Sequence, residues 1–353
     1  MDFQLSDDQR ALRSGMRDLL GAVFDRDRLR AAVERDGALD RSLWRELGAA
    51  GFFALRLPEE AGGVGLGLPE AVLLFEEAGR ALLPGPLVAT HLAAGLVKGA
   101  AEGEAVVTAV AGELPVAHLA EADAVLLAGA EPLAGEALRA FVAAARPVRS
   151  MDPLTPLHSA PADAKRPPAV SVRTRADPER GPAATERTPA HAGRFRFEAV
   201  LLTAAEQLGS AARTTEAAVQ HARERQQFGS PVGSFQAVKH LCADMLARTE
   251  PARAAVYAAA VTGDPAEIAA AKLLADEAAV RNARDCLQIH GGMGFTWEAD
   301  VHLHLKRAWL RAASWLTGAG AEELLAAGLG TAGRLPRSSA AYGRPVPEAG
   351  GGG

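Results

Sequence analysis

The sequence predicts a mainly α-helical protein with a small β-region in its middle. Hydrophobic residues make up 48% of the 353 positions and aromatics only 5%, with alanine dominant, a composition that suits closely packed helices. Three long segments, roughly 199–226, 235–262 and 264–290, each carry an apolar stripe at helical spacing. Short β-type runs begin only near residue 104.

Residues 1–103 form the first helical region. Ser6 is a candidate N-cap before "DDQRALRSGMRDLL", whose first-turn acids favour the helix dipole. Leu12, Met16 and Leu19 follow at helical spacing. A later helix, reached through the Gly/Pro-rich "LPEEAGGVGLG", is stopped by Pro84 and Pro86. Residues 104–198 form a middle β-region, in which "EAVVTAVAG", "ADAVLLAGA" and "RPVRSMDPL" are strand-like. Within it, 160–194 is rich in Pro, Arg and Ala and nearly free of large apolar residues, so it is expected to be mobile. Residues 199–329 form a four-helix bundle. The stripe of its first helix is Leu201, Ala205, Leu208, Ala212, Thr215, Val219 and Ala222, and its fourth helix follows Asp300. The tail 330–353, ending "PEAGGGG", is expected to be disordered.

Composition excludes several classes. Net charge is −5 with scattered basic residues, which is no footprint for nucleic acid. The amphipathic start does not read as a signal peptide, and no apolar run approaches the about 20 residues of a membrane span. Cys242 and Cys286 fall in helical patterns and read as a reduced pair of a cytoplasmic protein.

Two segments carry the chemistry. In "HARERQQFGSPVGSFQAVKH", Arg225 and Gln227 sit at a helix end and Phe228 projects from the turn. Arginine there can cap terminal carbonyls or clamp a phosphate, and the residues alone leave both open. In "DCLQIHGGMGFTWEADVHLHLKRAW", His290, His302 and His304 invite a zinc reading. His302 and His304 lie two apart, on different helical faces, and no Cys or carboxylate completes a ligand set at known spacing, so no metal is expected. The "GGMG" follows no strand and is no dinucleotide fingerprint. What remains is a helix end broken by Gly291 and Gly292, where a ligand or the next helix could approach closely.

Together, "RERQQFGSPVGSFQAVKHLCADM" and "QIHGGMGFTWEADVHLHLKRA" resemble the acyl-CoA dehydrogenase family, and "LWRELGAAGF…LPEEAGGVGLG" resembles its first helical domain. The resemblance covers about residues 1–100 and 199–317. It implies an N-terminal helical domain, a reduced central β-barrel-like domain and a C-terminal four-helix bundle. It also implies FAD as cofactor, α,β-desaturation of an acyl-CoA thioester, and an oligomer. An electron-transferring flavoprotein is the usual acceptor. Carried over residue by residue, Arg225, Gln227 and Phe228 would touch the nucleotide half of FAD across a subunit interface. Gln236 would lie nearby, and Gln288, Gly291 and Gly292 would form the other wall. Thr317 matches the family's Thr and would be a further cofactor contact.

The sequence departs from this pattern at the catalytic base. The usual Glu position is Trp315, and an indole cannot accept a proton at neutral pH. The alternative Glu position of other members is Ala199, counting back from Gly209. Glu198 lies one residue, about 100°, away. A solvated Glu at a junction is the plainer reading of Glu198, and a catalytic base the sharper one. The flavin-ring strands usual in the middle domain are missing too. The losses fall on the side that holds a chain's own flavin, while the contacts to a neighbour's nucleotide remain. The expectation is a subunit that completes the flavin site of a related partner, as in heteromeric actinobacterial steroid-side-chain dehydrogenases. The alternative is a protein of this fold that has lost redox chemistry and serves as a structural or binding partner. A third is reuse of the fold for a step other than dehydrogenation.

Overall fold

A computed structural model describes residues 4–110, 115–127, 131–161 and 189–332. The first region holds five helices: α1 (Asp7–Val23), α2 (Arg26–Glu34), α3 (Arg41–Ala49), α4 (Leu68–Arg80) and α5 (Leu87–Ala93). Ser6 caps α1. Its hydroxyl accepts from the Gln9 N–H at 3.1 Å, and the Gln9 side chain accepts from the Ser6 N–H at 3.1 Å, a reciprocal capping box. Met16 and Leu20 are the buried residues of α1, with Leu12 and Leu19 packed at the margin. α4 ends before Pro84, where the chain turns through Leu82 at φ 56. Beneath these helices Trp44, Phe52, Phe53 and Phe75 are fully buried, with Trp44 and Phe53 rings 4.7 Å apart.

The middle region is small, and its barrel-like part is reduced to two three-stranded sheets. One joins β1 (Val107–Ala109), β3 (Ala124–Leu126) and β4 (Leu133–Ala134), with β1 and β3 parallel. The other joins β2 (Val116–Ala117), β6 (Leu157–Ser159) and β5 (Arg146–Val148), all antiparallel. A helix the strand signals do not predict, α6 (Gly135–Ala144), buries Leu138 and Phe141 against the first sheet.

Three long helices, α7 (Pro189–Glu224), α8 (Gln236–Thr262) and α9 (Pro265–His290), make the bundle. The two-residue strands β7 (Gln226–Gln227) and β8 (Ser230–Pro231) join α7 to α8. After Asp300 come two helices rather than one, α10 (Val301–Ala313) and α11 (Gly318–Ala332), broken where Trp315 takes φ 64. The expectation that 160–194 is mobile needs a correction at its end. Residues 189–194 are the first turns of α7, extended by an Arg194–Glu198 ion pair at i,i+4, and Phe195 and Phe197 behind them pack inward. Residues 162–188 lie outside the described residues. Of the expected disordered tail, 330–332 complete α11 and 333–353 lie outside the described residues. No described helix is long and apolar enough to cross a membrane.

α7 is buried on every side from Ala199 to Ala212 because α4, α9 and α10 all pack on it. The approach to α4 is made at two glycines. A Cβ on Gly209 would fall on the Glu76 carbonyl, and one on Gly79 on the Glu206 carbonyl.

Two imidazoles are sealed in this core. Burial lowers His91 to about 4, against the opposing Phe52 carbonyl 3.1 Å from its Nδ1. Burial and the positive charges of Arg213, Arg311 and Arg307 lower His304 to about 3. In the unfolded chain both bind protons near 6.5, so the unfolded state takes up protons first as pH falls. Stability is intact above about 6.5 and drains below it by roughly 1 kcal/mol per pH unit per imidazole. Urea midpoints measured from pH 7 to pH 5 should therefore fall steadily. A flat profile would contradict the burial of these rings.

Candidate functional site

The two glycine-containing turns lie together. α7 ends in its turn through Arg225, Gln227 and Phe228, and α9 ends in the turn through Gln288, Gly291 and Gly292. Between them the His221 and His290 rings stack, centroids 4.1 Å apart and planes at 23°. Ala222, Val232, Met245, Cys286, Leu287 and Ile289 form a shared apolar base with Val301 of α10. His290 is fixed by its own turn, Nδ1 lying 2.8 Å from the Cys286 carbonyl.

The residues above that base face outward. Arg225, Gln227, Gln236 and Gln288 are all exposed, and Phe228 is 92% exposed at φ 52 with Phe235 edge-on to it. The Arg225 side chain has no hydrogen bond or ion pair among the described residues; the Arg225 N–H and carbonyl are used by His221 and Val232. Capping of the helix end is thus done by backbone, leaving the guanidinium free. Gly291 turns the chain at φ 62, and a Cβ on Gly291 or Gly292 would meet nothing within 4 Å. These glycines serve no internal packing and leave open backbone at the end of α9, while the stacked end of α7 leads into an exposed arginine, a pair of features that suits a negatively charged group. Burial lowers His221, with His290 and Arg225 adding to the effect against Glu224.

The three histidines of the second motif do not converge. His304 Nδ1 pairs with Ser210 Oγ at 2.8 Å, and His302 Nε2 lies 3.3 Å from the Trp297 carbonyl, with Trp297 stacked on its ring. Among the described residues no three His, Cys, Asp or Glu side chains could hold a metal ion. Both cysteines are free thiols, and burial pushes Cys286 up to about 12.

The remaining sequence-predicted residues sit elsewhere. Thr317 lies beyond α10, at the end opposite Val301 and so about 20 Å from the paired turns. Its hydroxyl accepts the Gly320 N–H at 3.2 Å, a capping bond for α11. Trp315 lines a cavity of about 120 Å³ between α5, α7, α10 and the two small sheets. Glu198 is not among the residues that line it. The Arg56 fork grips the Glu198 carboxylate at 3.0 and 3.2 Å and Arg194 Nε adds a bond at 3.0 Å. Burial opposes ionisation of Glu198, but these arginines outweigh it and hold the carboxyl below its ordinary range. Ala199 is fully buried in the core. Neither sequence position for the base thus offers a free carboxylate.

Sequence reasoning missed the charged groups that do line the cavity: Glu206 on α7 and Arg307 and Arg311 on α10. A signal for Glu206 was present. The run from Ala199 to Ala212 is apolar or small on nearly every face, so a Glu inside it has no solvated side to occupy.

Comparison with known proteins fits this layout. Residues 6–102 match the family model "Acyl-CoA dehydrogenase, N-terminal domain", and residues 193–332 match "Acyl-CoA dehydrogenase, C-terminal domain". The acyl-CoA dehydrogenase IpdE2 of Mycobacterium tuberculosis is 36% identical over 291 residues, spanning 79% of this chain and 84% of that protein. The chain belongs to the acyl-CoA dehydrogenase family. Solved structures share the fold. That of PigA with FAD and proline superposes with a TM-score of 0.77 at 20% identity, over 94% of this chain and 99% of that one. The ChsE4–ChsE5 complex of Mycobacterium tuberculosis gives 0.75 at 22%, over 94% and 99%. As an acyl-CoA dehydrogenase family fold, the chain is mainly α with a small β-part, and its two paired turns both lie inside the C-terminal match.

Proposed function

We propose that this chain acts in FAD-dependent α,β-desaturation of an acyl-CoA thioester as a subunit that completes the flavin site of a related partner chain. The observation that carries the reading is the His221–His290 stack, which joins the helix ends that lead into Arg225 and into the open backbone of Gly291 and Gly292. Arg225, Gln227, Phe228, Gln236, Gln288, Gly291 and Gly292 would hold the nucleotide half of FAD. Arg225 supplies charge-assisted hydrogen bonds to the pyrophosphate, and Phe228 an apolar face. When bound, FAD supplies the acceptor for the substrate's β-hydrogen.

This chain's own cavity fits the flavin ring poorly. Its volume of about 120 Å³ is well below the roughly 300–1,000 Å³ of sites that enclose drug-sized ligands. Removal of the α-proton needs a carboxylate placed within hydrogen-bond reach. Trp315 offers none, and Glu198 is committed to Arg56 and Arg194. The base and the ring site therefore belong to the partner, and Thr317 keeps only its capping role in our reading. We assign the electrons to an electron-transferring flavoprotein docked on the complex.

Flavin bound per chain tests the proposal. The protein purified alone should carry no flavin absorption. Co-purified with a related subunit bearing the Glu, it should give a complex with one FAD per two chains. Two FAD per pair, or a yellow protein alone, would contradict it. A complex with none would favour the alternative, a protein of this fold without redox chemistry, which the indole at position 315 also favours.

A further inference from the structure

The cavity lined by Trp315 holds buried charge that the flavin reading does not use. Arg307 and Arg311 lie one helical turn apart on the same face of α10 and both line it. Each is less than a tenth exposed. Arg307 Nε pairs with Asp152, and its Nη1 donates to the Leu83 carbonyl at 3.1 Å. Arg311 Nη2 donates to Glu206 Oε1 at 2.6 Å. One nitrogen of each guanidinium, Arg307 Nη2 and Arg311 Nη1, is buried with no hydrogen-bond partner. A buried cationic donor left unmet is costly. Two arginines with unmet donors, both lining one cavity, form a ready recognition element for an anion.

The geometry points to a recognition site for the carboxylate end of a short carbon chain, received by Arg307 and Arg311. The rest of the wall decides between anions. Leu87, Val88, Leu157, Leu310 and Trp315 present apolar surface beside the two arginines, which suits a carboxylate on a hydrocarbon stem. A bulkier phosphate would leave that surface unused, and about 120 Å³ holds only a compact group. Charge balance agrees. Asp152 is held low beside Arg307 despite its burial, whereas burial pushes Glu206 up against the pull of Arg311. If Glu206 takes up a proton as an arriving carboxylate displaces it from Arg311, the group of four carries one net positive charge, matched by that one carboxylate. Glu206 is therefore an internal competitor for Arg311, and an arriving carboxylate takes over its donor.

The site is separate from the paired turns. Glu206 and Arg225 are both in or at the end of α7, about 28 Å apart along its axis. The inference stands whether or not the chain touches FAD, and its test needs no flavin. The chemistry could come from a free dicarboxylate or from the carboxylate end of an acyl thioester. Calorimetric titration of the full-length protein with succinate, succinyl-CoA and butyryl-CoA separates the two. All three carry four-carbon chains, and butyryl-CoA lacks the terminal carboxylate. At least one succinyl probe should bind tenfold or more tightly than butyryl-CoA. Binding of succinate itself assigns the free acid, and binding of succinyl-CoA alone assigns the thioester. Arg311→Met should weaken the favoured probe at least tenfold. Glu206→Gln, which keeps the shape and removes the competitor, should tighten it about tenfold. A merely structural ion pair predicts no gain from Glu206→Gln. Should Arg311→Met fail to fold, Glu206→Gln decides alone. Equal binding of the probes with and without a terminal carboxylate, or unchanged or weaker binding by Glu206→Gln, overturns the proposal.

Discussion

Gly209→Ala should destabilise the protein by at least about 3 kcal/mol, the upper end of the usual cost of overpacking a core. The added methyl has no space of its own. It would fall on the Glu76 backbone carbonyl and press on the Arg80 N–H of α4, so backbone must move rather than a flexible side chain. The reciprocal contact, Gly79 against the Glu206 carbonyl, prevents α4 from sliding aside, because the two helices touch at both glycines. Separating them would also disturb Glu76, whose carboxylate accepts from Tyr257 at 2.6 Å and pairs with Arg253 across to α8. Urea unfolding of wild type and variant reads the difference directly. Gly292→Ala is the internal control, since a Cβ there meets nothing within 4 Å and the change should be nearly neutral. Equal stability of Gly209→Ala and wild type would refute the close crossing.

Much of the fold could be read in the sequence because long helices announce themselves twice, by stripe and by terminus. Ser6 and the glycines after His290 each mark an end that the structure places within a few residues. The start of α7 was less legible. Its first turns read "PAHAGRFRF", where arginines interrupt the apolar period, and only the packing of Phe195 on Trp315 shows why the helix extends there. The middle region was hardest. Strands of two or three residues give no alternation to detect, and α6 carries only Leu138 and Phe141 as buried anchors. At the candidate site the motifs revealed the paired turns, since glycine and arginine at helix ends need a local reason. The Glu206–Arg311 and Asp152–Arg307 pairs were invisible, because they join residues 105 and 155 positions apart and no local spacing encodes them.

The role of Arg225 is the other large effect expected. In a flavin-loaded complex with the Glu-bearing subunit, Arg225→Ala should weaken FAD binding by roughly 10- to 100-fold. That range corresponds to losing a hydrogen bond to a charged group, about 1.5–3 kcal/mol. Fold and assembly should be untouched, because the side chain is exposed and unpaired among the described residues. The change sits wholly on this chain, so any loss of the partner's flavin reports a contact made across the interface. The decisive measurement is the FAD dissociation constant of that complex with and without Arg225. A rise of tenfold or more, with the two chains still associated, is what the account predicts. An unchanged constant in an intact complex would contradict it.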